Sequence, residues 1–299
     1  MLVLSLDTTS EQGGAGIFRG VECLALIPNE GTANQYSVTL FEMVQKALAE
    51  ARLEPREIEL YAVANGPGSF TGIRVGLAAA RAWGKVFGRP VRGVSVFEAM
   101  VNKQGLGIRD SGSREILRSH ALGRASQDSL PSTGTEDPRQ RSADEGFLRS
   151  PHPNWYFPIL DARRGEFFLA SFRKTTPTEV NGPGPEAERP PSLSGVAGCA
   201  YQAADEGWIL KPDALRAFLE ARAASQVSAT CLVRAHDQAA LELCASLPKA
   251  LGWQPLPGPL MESIADVAQM EAQASGPGSG ANLDAYYLRR PDAETNLKD

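Results

Sequence analysis

Histidine is nearly missing from this 299-residue chain: there are three, His120, His152 and His236. Cysteine is almost as scarce, with Cys23, Cys199, Cys231 and Cys244 scattered along the sequence and no CxxC, HxxxH or HExxH anywhere. A zinc site needs closely placed nitrogen and sulfur ligands, so a thiolate zinc centre is excluded and little remains for a histidine-based one. Four dispersed thiols fit reduced cysteines, not a disulfide scaffold. Long apolar runs are absent too. No stretch approaches the ~20 residues of a membrane helix. The apolar opening Met1–Leu6 stops at Asp7, too short for a signal-peptide core and without a basic start. A cytoplasmic protein is expected. Nor is there a basic excess: 30 Lys+Arg face 35 Asp+Glu, a net charge of −5. A free-standing nucleic-acid binder usually carries a basic footprint, and this chain does not.

What is present is unevenly distributed. Residues 103–155 hold only 12 apolar side chains in 53, with charges that nearly cancel. Such a segment buries too little surface to offset its ordering entropy, and it reads as a flexible insertion. His120 and His152 lie inside it, leaving His236 alone and no basis for a Ser-His-Asp triad. A proline-rich break covers 174–195, and Ser275-Gly276-Pro277-Gly278-Ser279-Gly280 reads as a link before a tail. The expected organisation is therefore a lobe at 1–102, the insertion 103–155, a second smaller α/β lobe at 156–274, and a linker and tail at 275–299.

Between the breaks the apolar periodicity alternates. Val3–Leu6, Gly14–Phe18 and Val21–Ile27 predict three strands in an antiparallel meander. Residues 34–51 carry apolar side chains at helical spacing. Leu60–Ala64 predicts a buried strand, a glycine loop leads into a helix ending near Phe87, and Val91–Val94 is another strand. Ser95 and Glu98 form a capping box for a third helix. Three antiparallel strands followed by helix, strand, helix, strand, helix is the order of a ribonuclease-H-like unit. In the later half, 157–161 and 166–173 predict a hairpin about 162–165. Pro212 opens a helix, 230–233 is a short strand, and 237–247 and 262–274 are helices.

The strongest local feature is Gly66-Pro67-Gly68-Ser69-Phe70-Thr71-Gly72, between strand and helix. Its free backbone N–H groups, the helix N-terminus and the Ser69 and Thr71 hydroxyls suit an anion, but the lysine of a phosphate-binding P-loop is missing. A plain strand-to-helix turn capped by Ser69 or Thr71 explains it equally simply. Asp7-Thr8-Thr9-Ser10 ends the first strand, where kinases of the actin and chaperone superfamily place an acid beside a metal-bound phosphate. It is also an ordinary turn sequence. Asp7, Thr8, Thr9, Gly66, Gly68, Ser69 and Thr71 are thus the candidate nucleotide or anion residues. The following helix has a small-residue face (Gly72, Gly76, Ala79, Ala80, Gly84) and a basic stripe (Arg74, Arg81, Lys85). These suit internal packing, a solvated face or a partner contact.

Taken in order, LSLDTTS at 4–10, VANGPGSFTGIRVGLAAARAWG at 63–84, PVRGVSVFEAM at 90–100, DARRGEFFLASF at 161–172 and YYLRRPDAE at 286–294 resemble the bacterial TsaB (YeaZ) family. The resemblance implies a two-lobed α/β fold, ribonuclease-H-like, of the actin, sugar-kinase and chaperone-ATPase type with mixed sheets. It implies a non-catalytic subunit that supports a homologous TsaD subunit in forming threonylcarbamoyladenosine next to the tRNA anticodon. A TsaE-like ATPase would be a further partner, with tRNA met through the complex and a homodimer formed when the chain is alone. No catalytic residue, metal ligand or cofactor is then expected in this chain, and ATP and a divalent metal belong to the partner subunits. By the same analogy Leu40, Val44, Leu48, Gly72, Arg74, Gly76, Ala79 and Ala80 would form the partner interface, and the glycine loop would be mainly a structural turn. One departure is that Tyr36-Ser37 stands where the family commonly opens its first helix with His-Ser. Two other readings are a small-molecule kinase of the same superfamily, motivated by Asp7, Thr8, Thr9 and the glycine loop, and a metallopeptidase, for which the ligands are scarce.

Overall fold

Two five-stranded paths of β-sheet, each with helices on both faces, make up the computed structural model, which describes residues 1–30, 35–106, 155–174, 201–225, 228–248, 251–275 and 283–288. In the first sheet β1 (Leu2–Asp7), β2 (Gly14–Arg19) and β3 (Glu22–Pro28) form the antiparallel meander, and β4 (Leu60–Gly66) and β5 (Val91–Ser95) extend it in parallel, in the order β3-β2-β1-β4-β5. Helices α1 (Tyr36–Ala51), α2 (Phe70–Phe87) and α3 (Val96–Leu106) follow β3, β4 and β5. The third helix thus runs four residues past the boundary expected at 102. Most of the proposed insertion, 107–154, lies outside the described residues, as do 175–200 and 276–282.

Side chains alternate across a strand, so β1 serves two cores. Leu4 and Leu6 point to one side, where Leu40, Val44, Ala47 and Leu48 of α1 and Ile73, Leu77 and Ala80 of α2 close over them. Val3 points to the other, with Phe97 and Met100 of α3 and Ile264 and Ala268 of α6 (Met261–Ser275). Ser5 shares that side and donates to the Met261 carbonyl at 2.7 Å. Because both faces are covered, β1 and β4 read as nearly continuous apolar runs. Burial of each Leu, Val or Phe contributes about 1.5–3 kcal/mol.

The second sheet repeats the first. β6 (Trp155–Arg163), β7 (Glu166–Leu169) and β10 (Trp208–Leu210) are antiparallel neighbours, and β11 (Ala229–Arg234) and β12 (Gly252–Leu256) continue in parallel, in the order β10-β7-β6-β11-β12. Two short strands, β8 (Phe172–Lys174) and β9 (Tyr201–Ala203), branch from β6. α4 (Pro212–Ala224) and α5 (Gln238–Ala245) pack Leu215, Leu219, Ala240 and Leu243 on the outer face. α3 and α6 lie between the two sheets, and one apolar cluster runs through Phe97, Ile264, Tyr156, Leu160, Phe168 and Leu232. The predicted return strand 166–173 is divided, because the chain leaves β7 after Leu169 and β8 starts at Phe172. The turn is two residues, Arg164-Gly165, both with positive φ (58° and 71°), the conformation a tight hairpin loop demands.

Candidate functional site: the closed cleft between the sheets

The carboxyl ends of β1 and β11 meet between the lobes. Asp7 ends β1 and is fully buried; Arg234 ends β11 and is 3% exposed. Their side chains form an ion pair, Arg234 Nη2 to Asp7 Oδ2 at 3.1 Å. The other carboxylate oxygen accepts from Thr9 twice, from its backbone N–H at 3.0 Å and from its hydroxyl at 2.6 Å. Both carboxylate oxygens of Asp7 thereby have partners in this chain: one folds the turn after β1 and the other neutralises an arginine 227 residues away.

Two of the remaining hydroxyls of the predicted loop, Thr8 and Ser69, also have internal partners. Thr8 Oγ1 donates to the Gly72 carbonyl at 2.7 Å. Ser69 is the N-cap of α2, its Oγ accepting from the Gly72 N–H at 3.2 Å, and its own N–H donates to the Thr9 carbonyl at 2.7 Å. Thr71 is exposed on the first turn of α2. A Cβ on Gly68 would meet the Thr9 carbonyl at 2.5 Å. The loop 66–69 and the turn 7–10 are thus packed backbone to backbone.

The small-residue face of α2 is turned inward. A Cβ on Gly72 would lie 1.9 Å from the Thr8 carbonyl oxygen, and one on Gly76 2.3 Å from Thr8 Oγ1. These glycines let the turn after β1 approach the helix. Leu40, Val44, Leu48, Gly72, Gly76 and Ala80 are all buried in this chain's own core, Ala79 is half-buried and Arg74 is exposed. The same core takes the inner sides of α1 and α2, so what faces outward is a different set: Val38 (73% exposed) and Phe41 (59%) on α1, and Val86 (73%) with Ala78 and Ala82 on α2.

The basic stripe holds down the end of the described chain. Arg74 lies over the Phe70 ring at 3.8 Å and donates from Nε to the Tyr287 hydroxyl at 3.1 Å, while Arg81 donates to the Leu283 carbonyl at 2.7 Å. Tyr286 N–H bonds the Asn65 carbonyl at 2.8 Å, and Asn65 Nδ2 the Asp284 carbonyl at 3.3 Å. Gly66, at φ 122°, lets this strap pass: a Cβ there would meet the Tyr286 carbonyl at 2.5 Å. No sequence signal pointed to this return of 283–288 onto α2.

Around the ion pair, Tyr36 is buried and donates to the Ser10 carbonyl at 2.8 Å. Burial first, and then the charge of Asp7, raise its phenol well above the usual range. His236 follows Arg234 in sequence; burial and then the arginine charge lower it to about 4, so it is neutral at pH 7. At the rim Arg163 reaches Glu11 at 3.3 Å. Asp161 accepts from the Arg163 N–H at 2.7 Å and its own N–H donates to Asp237 Oδ2 at 2.7 Å. Among the described residues no group of three His, Cys, Asp or Glu side chains could hold a metal ion, and no helix is long and apolar enough to cross a membrane. His120 and His152 lie outside the described residues.

Two layered sheets of the same strand order, whose strand ends meet at the Asp7–Arg234 ion pair, form a two-lobed, ribonuclease-H-like α/β fold with mixed sheets. Within that class the chain is similar to proteins of the TsaB (YeaZ) family, the resemblance its motifs carry. It superposes on YeaZ from Pseudomonas aeruginosa with a TM-score of 0.57 at 18% identity, over 96% of this chain and 99% of that one. TsaB of Escherichia coli K12 is 28% identical over 125 residues, 39% of this chain and 48% of that protein. An uncharacterised protein of Mycobacterium leprae is 38% identical over 119 residues, 39% of this chain and 32% of its own length. The family described as TsaD, tRNA N6-adenosine threonylcarbamoyltransferase, matches residues 26–112. The matched stretches thus span about a third to a half of these curated relatives.

Proposed function

We propose that this chain acts in tRNA threonylcarbamoyladenosine biosynthesis as a non-catalytic subunit that supports a TsaD-like homologue. The observation that carries the reading is the state of Asp7. An acid at the end of β1 that served a metal-bound phosphate would need a free oxygen facing the cleft, whereas here Arg234 and Thr9 take both. The kinship with TsaB proteins supplies the pathway. ATP and a divalent metal are then supplied by the partner subunits, a TsaE-like ATPase among them, and tRNA is gripped by the assembly, in keeping with the net charge of −5.

The partner face is the outer side of α1 and α2. Exposed Val38, Phe41 and Val86 with Ala78 and Ala82 give it an apolar character that a solvated helix pair does not need, and a second copy of this chain would cover it when the TsaD-like subunit is absent. The test is co-purification with the TsaD-like protein of the same cell, together with mass spectrometry of tRNA nucleosides after deletion. A stable complex and loss of threonylcarbamoyladenosine are expected; no complex and unchanged tRNA would overturn the reading. The kinase alternative is met in the same preparation by calorimetry with millimolar ATP and ADP, which should give no binding heat.

A further inference from the structure

Arg234 belongs to the second sheet, yet it meets the residue on which the start of α2 is built. The connections run in order. Arg234 neutralises Asp7 at 3.1 Å. Asp7 Oδ1 holds the N–H and hydroxyl of Thr9 at 3.0 and 2.6 Å. The Thr9 carbonyl then accepts from the Ser69 N–H at 2.7 Å, and Ser69 caps α2 through Gly72. Thr8, between them, fills the space over Gly72 and Gly76 and donates to the Gly72 carbonyl. Asp7 and Arg234 are both more than nine-tenths buried, and the Arg234 Nε has no hydrogen-bond partner, so the salt bridge to Asp7 is the anchor of this guanidinium among the described residues. A buried charge stripped of its partner is costly, because it has neither water nor a counter-ion.

We propose that Arg234 is a positioning residue for α2: through Asp7 it sets the turn 7–10, and that turn fixes the capped first turn of the helix whose outer side is exposed. The orientation of the second sheet is thereby passed to a surface of the first. The second link across the cleft, Arg163 to Glu11, is exposed at the rim and contributes little, since a solvated ion pair is screened. This linkage is the same whichever partner covers the outer side of α1 and α2, and is therefore independent of the proposed function.

Amide hydrogen exchange of the full chain tests it. In Arg234→Met, Asp7 is left charged and unpaired. The Ser69 and Gly72 amides should then exchange about tenfold faster, while those of Leu48 and Leu232 keep their protection. The double variant Asp7→Asn/Arg234→Met should return Ser69 and Gly72 towards their original protection, because an asparagine side chain still accepts from Thr9 and needs no counter-charge. Arg234→Lys, which keeps the charge on a different head group, should fall between, and it replaces Arg234→Met as the probe if that variant does not fold. Exchange that rises uniformly through the chain would mean general destabilisation and overturn the proposal. So would an unchanged Ser69 amide, or a double variant no better than the single one.

Discussion

The two sheets share a strand order but end differently. In the first, β1 closes on the buried Asp7; in the second, its counterpart β6 reaches the exposed Asp161 near its end. Each strand end is tied to the cap of a helix. In the first lobe the tie runs from the Ser69 N–H to the Thr9 carbonyl, and in the second from the Asp161 N–H to Asp237, which also caps α5 through the Ala240 N–H at 3.0 Å. The helices differ as well: α1 and α2 have 16 and 18 residues, α4 and α5 13 and 8. One topology therefore supports a long helix pair with an exposed apolar side in one lobe and a shorter, plainer cover in the other. Strand order is shared; what each lobe presents is decided by a few contacts at the strand ends.

Enlarging a glycine of α2 should have the largest effect on the first lobe. Gly72→Val drives a side chain into the Thr8 backbone, and a loss of about 3 kcal/mol or more is expected in denaturant unfolding. Leu40→Ala should lose about 2–5 kcal/mol, since Leu40 is buried in this chain's core. The caps come next. Ser69→Ala should lose about 1 kcal/mol. Asp237→Ala should lose more, about 2 kcal/mol, because it also strips the partner of the Asp161 N–H. Equal losses for the two caps would remove the distinction drawn between the lobes.

The pH response separates the regions by sign. Glu98, at the start of α3, is raised from the usual 4.5 to about 8 by burial and then by Glu271. The folded chain therefore binds more protons than the unfolded one in that window, and stability falls as pH rises from 4.5 to about 8. His236 does the opposite. Lowered from 6.5 to about 4, it makes stability fall as pH drops through that range. Denaturant midpoints between pH 4 and 9 should lose the alkaline limb in Glu98→Gln and the acid limb in His236→Gln. The smallest effect on folding is expected at Phe41→Ser, within about 0.5 kcal/mol, although the same change should weaken association of the α1–α2 face in sedimentation experiments.

Much of the fold was legible because local chemistry and burial agree. Apolar runs marked β1 and β4, the Ser95–Glu98 box appears as the Ser95 N–H bonded to Glu98 at 3.2 Å, and Pro212 opens α4. The strands that escaped are short or irregular: β9 and β10 have three residues each, and β12 carries Pro255 with three exposed positions. The likeness of the two lobes was hidden because strand order leaves no mark in a string of residues. Asp7, Ser69 and the glycines of α2 were found, but not their arrangement, since Arg234 reaches Asp7 and Tyr286 reaches Asn65, beside the glycine loop, from more than 200 positions away. One hint was available: an arginine directly after Cys231-Leu232-Val233, an apolar strand, is a charge that needs a buried acid.

The two sides of α2 also carry separable constraints over evolutionary time. Its inner side is fixed by the fit of Gly72 and Gly76 to Thr8, where nearly any added atom collides. Ala78, Ala82 and Val86 on the outer side are exposed. Mutational drift can therefore alter the outer surface of this helix while the lobe beneath it stays intact, without first passing through an unstable ancestor.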